Sequence, residues 1–517
     1  MERLPQEIID QIIDFSPWLT GRRRAPTFAT VSKRFQLSIE RLTFREIDIN
    51  HVELERFAEI FTHPHRRNLL KHLGFKIKLL HCQKYPGANE REANNKVATN
   101  AIFNLLKCLC RWEKNCNIGL FITARPYQLG FSGTKLDYQY DYLEILYPEQ
   151  LPPVNCIRWL LLNNPESRKK PGFREFSPLS YLALATKLPC LKGTFLSYTE
   201  PGEFLAFRQS LRENLVQAIS KIPSMAKVYF NIDGPDYTGH DPPSLVPSQQ
   251  EDSLPLALRR LADSVKRFRY SGPLDPCFFW PSSLAKNPQP FWENVTYIFI
   301  TLNPVAPSGT WYFRNGPQNG QEAFALHLKD QSPPGYGTEE QTVSALAFLG
   351  ELTKKMKPEV ATRNFQRMKA PKRFDVNPDT VMPLLRSVTR AIAQMRSLQL
   401  FKLRDADSLS TWYSTNSLKV EYYLPGVLDR EYREELNELP LNKPRVLLRA
   451  RGLAKSGYHA SELEDMFRKV SIANHHQEAI VTWIQRTIFV TFDEISAQVT
   501  TFHDALLLVP SLDSEST

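Results

Sequence analysis

Histidine and cysteine residues that could bind a metal ion occur in three short clusters. They are His63 and His65 around a proline, the adjacent His475 and His476, and Cys108, Cys110 and Cys116. A zinc site usually combines two close pairs of such ligands, and no second pair follows here at a suitable spacing. The neighbouring histidines would diverge on a helix, so we expect them at the surface. The sequence predicts no metal site and buried, apolar cysteines.

Motifs for nucleophilic or phosphate chemistry are also missing from the sequence. It has no Gly-x-Ser-x-Gly elbow, no phosphate-binding loop and no His-Glu-x-x-His pair. We therefore predict no catalytic residues, no cofactor and no enzymatic activity. The alternative is an enzyme with its site in one of two segments rich in proline and glycine, 233–255 and 303–340. Both are predicted as long loops, the second with a short strand at 311–313.

The N-terminal region, residues 4–49, contains two amphipathic patterns. Leu4 and Pro5 begin the first, and a helix ending near Phe15 is predicted to carry four isoleucines on one face: Ile8, Ile9, Ile12 and Ile13. The second pattern has steps of three and four residues: Phe28, Val31, Phe35, Ile39 and Leu42. Two such short helices cannot make an independent core. Their apolar faces must meet each other, the rest of the chain or a partner.

These patterns carry a sequence resemblance. The relevant stretches are Leu4-Pro5-Gln6-Glu7-Ile8-Ile9, Val31-Ser32-Lys33-Arg34-Phe35 and Leu42-Thr43-Phe44-Arg45-Glu46-Ile47. Together they resemble the F-box, most closely as it occurs in the F-box proteins of filamentous fungi. The position after Lys33-Arg34 is phenylalanine rather than the commoner tryptophan. The segment between the two helices is basic and longer than usual. The alternative is a plain helical hairpin docked on the body of the protein.

The resemblance implies a function in protein recognition. An F-box would dock on the Skp-type adaptor subunit of a cullin-based ubiquitin ligase, as part of an SCF complex, while the remainder of the chain binds a target protein. The residues expected to contact the adaptor are Leu4, Pro5, Ile8, Ile9, Ile12, Val31, Phe35 and Ile39. The alternative is an F-box-like interaction scaffold that is not engaged in ubiquitination.

The rest of the chain repeats one local pattern, a helix that leads into a short strand. Leucine-rich helical runs at 69–73, 105–109, 211–222, 256–265 and 384–392 each precede an alternating run. Such units suggest parallel strands joined by crossovers. We predict an α/β fold in which an irregular, leucine-rich-repeat-like array follows the N-terminal helices. A non-repeating α/β domain is the alternative, because the spacing is uneven and no strict consensus recurs.

The predicted organisation has three parts. Residues 1–50 form the F-box-like helical domain, residues 51–510 the substrate-binding array and residues 511–517 a flexible tail. Aromatic groups within the array, such as Phe278-Phe279-Trp280 and Tyr422-Tyr423, are expected to fill the core. If exposed, they would be anchors for a protein ligand.

Composition limits the partners and the compartment. The chain has 517 residues, a net charge of +10 and seven cysteines. Basic residues alternate with acidic ones and no nucleic-acid motif accompanies them, so we expect no nucleic-acid partner. No signal sequence and no membrane-spanning run is recognisable. The sequence therefore predicts an intracellular protein, cytoplasmic or nuclear, with reduced cysteines and no membrane partner.

Overall fold

The fold is described from a computed structural model. It describes residues 4–15, 29–80, 88–126, 142–163, 173–201, 204–234, 242–246, 251–282, 292–314, 333, 336, 338, 340–341, 343–347, 375–405, 418–427, 439–453 and 457–484. The predicted tail at 511–517, Phe28 and the arginines at 22–24 lie outside these ranges.

The helices with assigned bounds alternate with strands along much of the chain. They are α1 (Gln6–Asp14), α2 (Lys33–Arg45), α3 (Leu54–Ile60), α4 (Pro64–Leu69), α5 (Ala88–Leu109), α6 (Pro178–Ala185), α7 (Leu205–Lys221), α8 (Ser253–Asp263), α9 (Pro378–Ile392) and α10 (Tyr458–His475). Within the described ranges, no helix combines the length and the apolar character needed to cross a lipid bilayer.

Most strands belong to one 12-stranded sheet. In sheet order they are β1 (Glu46–Asn50), β2 (His72–Leu79), β3 (Ile118–Pro126), β5 (Ile157–Leu162), β7 (Gly193–Thr199), β8 (Lys227–Asp233), β9 (Arg267–Gly272), β10 (Tyr297–Leu302), β13 (Leu400–Asp405), β14 (Leu418–Tyr423), β15 (Arg445–Ala450) and β16 (Ile480–Trp483). Two small sheets pair β4 (Tyr142–Leu143) with β6 (Glu175–Phe176), and β11 (Phe313–Arg314) with β12 (Asp375–Val376).

Pairing in the large sheet follows chain order and is mostly parallel. All neighbours from β1 to β13 are parallel, and so are β15 and β16. The pairs β13–β14 and β14–β15 are antiparallel. The predicted mixed α/β class with parallel strands is confirmed at this level. The antiparallel pairs were not predicted, because the sequence pattern suggested a helical crossover between strands.

The two faces of the sheet differ in chemistry. On one face, here called the helix face, alternate strand residues join the helices in one hydrophobic core. Phe75, Val228, Phe268, Ile300 and Leu403 are among the fully buried residues of that face. The intervening residues form the second face, which is richer in polar and charged side chains. The large core is therefore one-sided, with apolar helix residues packed against one layer of strands.

Several predicted boundaries shift in the structure. The helix predicted from Phe28 begins at Lys33, because the Ser32 side chain accepts a hydrogen bond from the Phe35 amide and caps the helix. Val31 therefore precedes the helix. The loop predicted at 233–255 ends earlier, since α8 begins at Ser253, where Asp252 is the cap. The short strand predicted at 311–313 overlaps β11 only at Phe313, because β11 consists of Phe313 and Arg314.

Candidate functional site

The N-terminal helices α1 and α2 form a small core of their own. Ile9 and Ile13 of α1 pack with Phe35 and Ile39 of α2, and each of the four is at most 6% exposed. This cluster is separate from the large core under the sheet. The four buried side chains hold the two helices together as a pair.

Polar contacts fix how the two helices cross. The Gln6 side-chain amide donates to the Ser38 hydroxyl and to the Arg34 carbonyl. The Ser38 hydroxyl donates to the Asp10 carboxylate, and the Arg34 guanidinium donates to the Leu4 carbonyl. Side chains of each helix thus bind the other helix at several points, which sets their relative orientation.

One exposed stripe of α1 is apolar. Ile8, Ile12 and Phe15 recur on one side of α1 and are 40%, 46% and 83% exposed. Val31 and Leu37 are 56% and 48% exposed. Leu37 lies on the side of α2 opposite Phe35 and Ile39, so the name N-terminal apolar surface is given to Ile8, Ile12 and Phe15 alone. Scattered exposed apolar residues are ordinary, but three in one stripe make this side of α1 a candidate interaction site.

The predicted adaptor-binding residues divide by burial. Ile8, Ile12, Val31 and Pro5 are exposed, and Leu4 is half-buried. Ile9, Phe35 and Ile39 are buried within the pair, so in this arrangement they support a contact rather than make one. The four isoleucines predicted on one face of α1 lie within about 140° of the helix. Only the edge with Ile9 and Ile13 is buried, whereas the edge with Ile8 and Ile12 is exposed. Phe15 was missed, although it continues the Ile8 and Ile12 spacing.

An ionic contact joins α2 to the body of the protein. The Glu40 carboxylate accepts a hydrogen bond of 2.8 Å from Arg66 and lies 3.2 Å from His65. Burial favours a higher pKa for Glu40, but hydrogen bonds from Arg66, Gln36 and His65 outweigh it and lower the pKa. Since α2 also continues directly into β1, the helix pair is attached to the first edge of the sheet.

A second candidate surface lies across the middle of the second face. Phe195 of β7 stacks on Tyr229 of β8, with ring centres 6.5 Å apart. Tyr229 is aligned with Arg269 of β9, which is aligned with Phe299 of β10. The guanidinium groups of Arg269 and of Arg404 on β13 each lie 4.5 Å from the Phe299 ring centre. Three aromatic rings and two arginines thus form a row across five strands.

On this face, the absence of a side chain at Gly193 leaves room for the ring of Trp159. The Trp159 side chain of β5 lies over Gly193 of β7, so a Cβ atom at Gly193 would fall 2.2 Å from the ring. The Lys227 ammonium group approaches the same ring, 5.4 Å from its centre. Towards the last strands this face is covered, because Leu400, Tyr423 and Leu447 pack with Val427, Leu439 and Ile484.

The residues considered for metal binding and catalysis do not converge. Among the described residues, no group of three His, Cys, Asp or Glu side chains could hold a metal ion. Burial raises the pKa of Cys116 to about 11 and that of Cys156 to about 12, which keeps both as thiols. The described parts of the two long loops meet at a cavity of about 20 Å³, lined in part by Leu245 and Asn303. That volume is room for about one water molecule.

A larger cavity, of about 300 Å³, opens at the carboxyl ends of β1, β2 and β3. Charges of both signs line it, including Asp48, Lys76 and Arg125. Lys76 and Asp48 already form an ion pair of 2.8 Å. Burial lowers the pKa of Arg125 in this lining. The His51 ring accepts a hydrogen bond from the backbone amide of Lys78, another lining residue. Burial, and then Lys78, lower the pKa of that histidine.

Comparison with known proteins adds no assignment. No protein-family model matches the chain, and neither does any curated protein sequence.

Proposed function

We propose that the protein is a substrate-recognition adaptor of an SCF-type cullin ubiquitin ligase. The helix pair α1–α2 acts as an F-box-like module that binds a Skp-type adaptor subunit. The remainder of the chain is an irregular leucine-rich-repeat-like array that binds a target protein. The protein does no bond chemistry; it raises the effective concentration of the target beside the ligase.

The observation that carries this proposal is the N-terminal apolar surface. A helix pair with its own buried core has no internal need for exposed Ile8, Ile12 and Phe15. Burying large apolar side chains on a partner contributes about 1.5–3 kcal/mol for each side chain that is fully covered. A docking role therefore explains the exposed residues, whereas a hairpin that only packs on its own body leaves them without a function.

The repeat-like array is supported by the topology of the sheet. Parallel strands add in chain order from β1 to β13, and α5, α7, α8 and α9 each lead into the next strand of the sheet. Units that contact mainly their neighbours are typical of repeat architectures. The uneven insertions and the antiparallel strands β14 and β15 are what make the proposed array irregular.

Co-purification with a recombinant Skp-type adaptor tests the docking role. We expect the wild-type chain to retain the adaptor and Ile8→Asp combined with Ile12→Asp to lose it, because two charges would enter an apolar contact. Ile472→Asp is the matched control, since Ile472 is 50% exposed on α10, far along the chain from the helix pair. It should retain the adaptor.

Two outcomes would contradict the ligase role. One is a wild-type chain that does not retain the adaptor, which would favour an interaction scaffold outside ubiquitination. The other is an Ile8 and Ile12 double variant that retains the adaptor as well as the wild type does.

A further inference from the structure

We propose that the second face binds an acidic segment of a partner protein at an arginine patch. The patch consists of Arg267, Arg269 and Arg404 with the rings of Tyr229 and Phe299. The inference rests on the proposed role of this region in target binding, and it defines the chemistry of the target.

Charge is the first reason for this assignment. The second-face positions of β8, β9, β10 and β13 carry five cations: Lys227, Arg267, Arg269, Lys402 and Arg404. Asp233 is the one carboxylate among these described positions, and on the neighbouring strand β14 Glu421 is aligned with Lys402 and lies 3.4 Å from Lys419. Arg267 and Arg404 are half-buried, and no described carboxylate lies within ion-pair distance of either. A half-buried cluster of positive charge is complementary to a segment that carries several negative charges.

The orientation of the guanidinium groups is the second reason. Arg269 and Arg404 both stack on Phe299, which restricts each side chain. The stacked guanidinium of Arg404 keeps its N–H donors in the plane of the group, where they can bind a carboxylate through two parallel hydrogen bonds. Because the cations are already ordered, less conformational entropy is lost when a carboxylate binds.

The rings distinguish a protein ligand from a nucleic acid. Single-stranded nucleic acids bind to sheets by stacking bases on exposed aromatic faces. Phe299 is only 4% exposed beneath the two arginines, and Tyr229 is stacked against Phe195. Both rings are already in contact with arginines or with another ring, so they cannot stack on bases. Recognition by this patch therefore relies on hydrogen bonds from the arginines to anionic groups.

The dimensions fit a short extended segment. Neighbouring strands lie about 4.8 Å apart, so the distance from β8 to β13 is about 15 Å. An extended peptide covers this distance with about five residues. Carboxylates on alternate residues of such a segment would face the patch together.

Fluorescence anisotropy with the full chain tests the inference. The probes are a labelled peptide in which glutamate alternates with serine, its phosphoserine form, and a control peptide with glutamine in place of glutamate. We expect both anionic peptides to bind at least about tenfold more tightly than the glutamine peptide, because hydrogen bonds to charged groups are the stronger ones. Binding should weaken as salt is added.

Variants connect this binding to the patch. Arg267→Glu with Arg404→Glu should reduce binding of the anionic peptides to the level of the glutamine peptide. Arg267→Gln with Arg404→Gln, which disturbs folding less, should reduce it by about tenfold or more. Arg390→Glu with Arg396→Glu is the matched control, because both arginines are exposed outside the patch and the change in net charge is equal. It should bind nearly as well as the wild type.

Three results would overturn the inference. They are equal binding of the glutamate and glutamine peptides, an equal loss in the Arg390 and Arg396 control, and tighter binding of a single-stranded oligonucleotide that depends on Arg267 and Arg404. Failure of the ligase proposal gives a different result. In that case the peptide binds at the patch but the adaptor does not co-purify.

Discussion

At the scale of single residues, the close contact between Trp159 and Gly193 limits what the second face can tolerate. The ring lies where a side chain at Gly193 would begin. We expect Gly193→Ala to lower the free energy of unfolding by about 1–3 kcal/mol, because the indole must leave its position over the neighbouring strand. Urea unfolding of the two proteins measures the difference.

Two variants identify the cause of that loss. Gly119→Ala is a matched control on β3, because its Cβ would meet the nearest atom at 3.2 Å rather than 2.2 Å. Gly119→Ala should lower the free energy of unfolding by less than Gly193→Ala does. In a Trp159→Ala background, Gly193→Ala should cost almost nothing. An undiminished cost in that background would show that the ring is not responsible.

The sequence predicted individual residues unevenly, and α1 shows why. Its isoleucines indicated a helix, yet Ile8, Ile9, Ile12 and Ile13 are chemically identical, so the sequence could not distinguish the buried stripe from the exposed one. The choice depends on where Phe35 and Ile39 pack.

The arginine patch was missed for a related reason. Its members are far apart in the sequence and meet only through strand register, whereas the adjacent Arg66 and Arg67 instead form ion pairs with Glu40 and Glu113.

At the scale of secondary-structure elements, a buried ionic network joins β7, α7 and α8. Glu200 follows β7 and accepts hydrogen bonds of 2.7 Å from Arg208 and 2.9 Å from Arg212. Arg212 also binds Asp252, the cap of α8. Burial would raise the pKa of Glu200, but the two arginines outweigh it and hold the pKa below its usual range. One carboxylate thus fixes two arginines of α7.

Loss of this carboxylate should destabilise the protein strongly. We expect Glu200→Gln to lower the free energy of unfolding by about 3–5 kcal/mol, because it removes the buried anion that Arg208 and Arg212 share. Thermal or urea unfolding measures the effect. Glu92→Gln is the control, since Glu92 forms an exposed pair with Lys96 on α5 and should change little. Equal effects of the two substitutions would contradict this account of the network.

Elements were predicted better than their pairing. The leucine spacings at 256–265 and 384–392 correctly indicated α8 and α9, because a helix buried on one side requires that period. The strands after them were also indicated, as β9 and β13. The antiparallel direction of β14 and β15 was not indicated, because the helix-strand pattern implied parallel strands and neither strand belongs to one of those units.

At the scale of the whole molecule, the two separate cores imply two units of different stability. The core of the helix pair contains four buried side chains, whereas the core under the sheet extends from β1 to β16. Stability rises with the apolar area that a unit buries, so the helix pair should open at a lower free-energy cost than the sheet.

Phe35→Ala tests this division. Phe35 is 6% exposed and is the largest of the four residues in the small core, so its truncation should cost about 3–5 kcal/mol, more than so small a core is expected to contribute. Hydrogen exchange should then show lost protection in α1 and α2 and retained protection in β7, β8 and β9. Phe75→Ala, in the large core, is the comparison and should lower protection across the sheet. Loss of protection throughout the sheet in Phe35→Ala would mean that the helix pair and the sheet unfold as one unit. In that case the helix pair could not unfold or refold independently of the sheet when the adaptor binds.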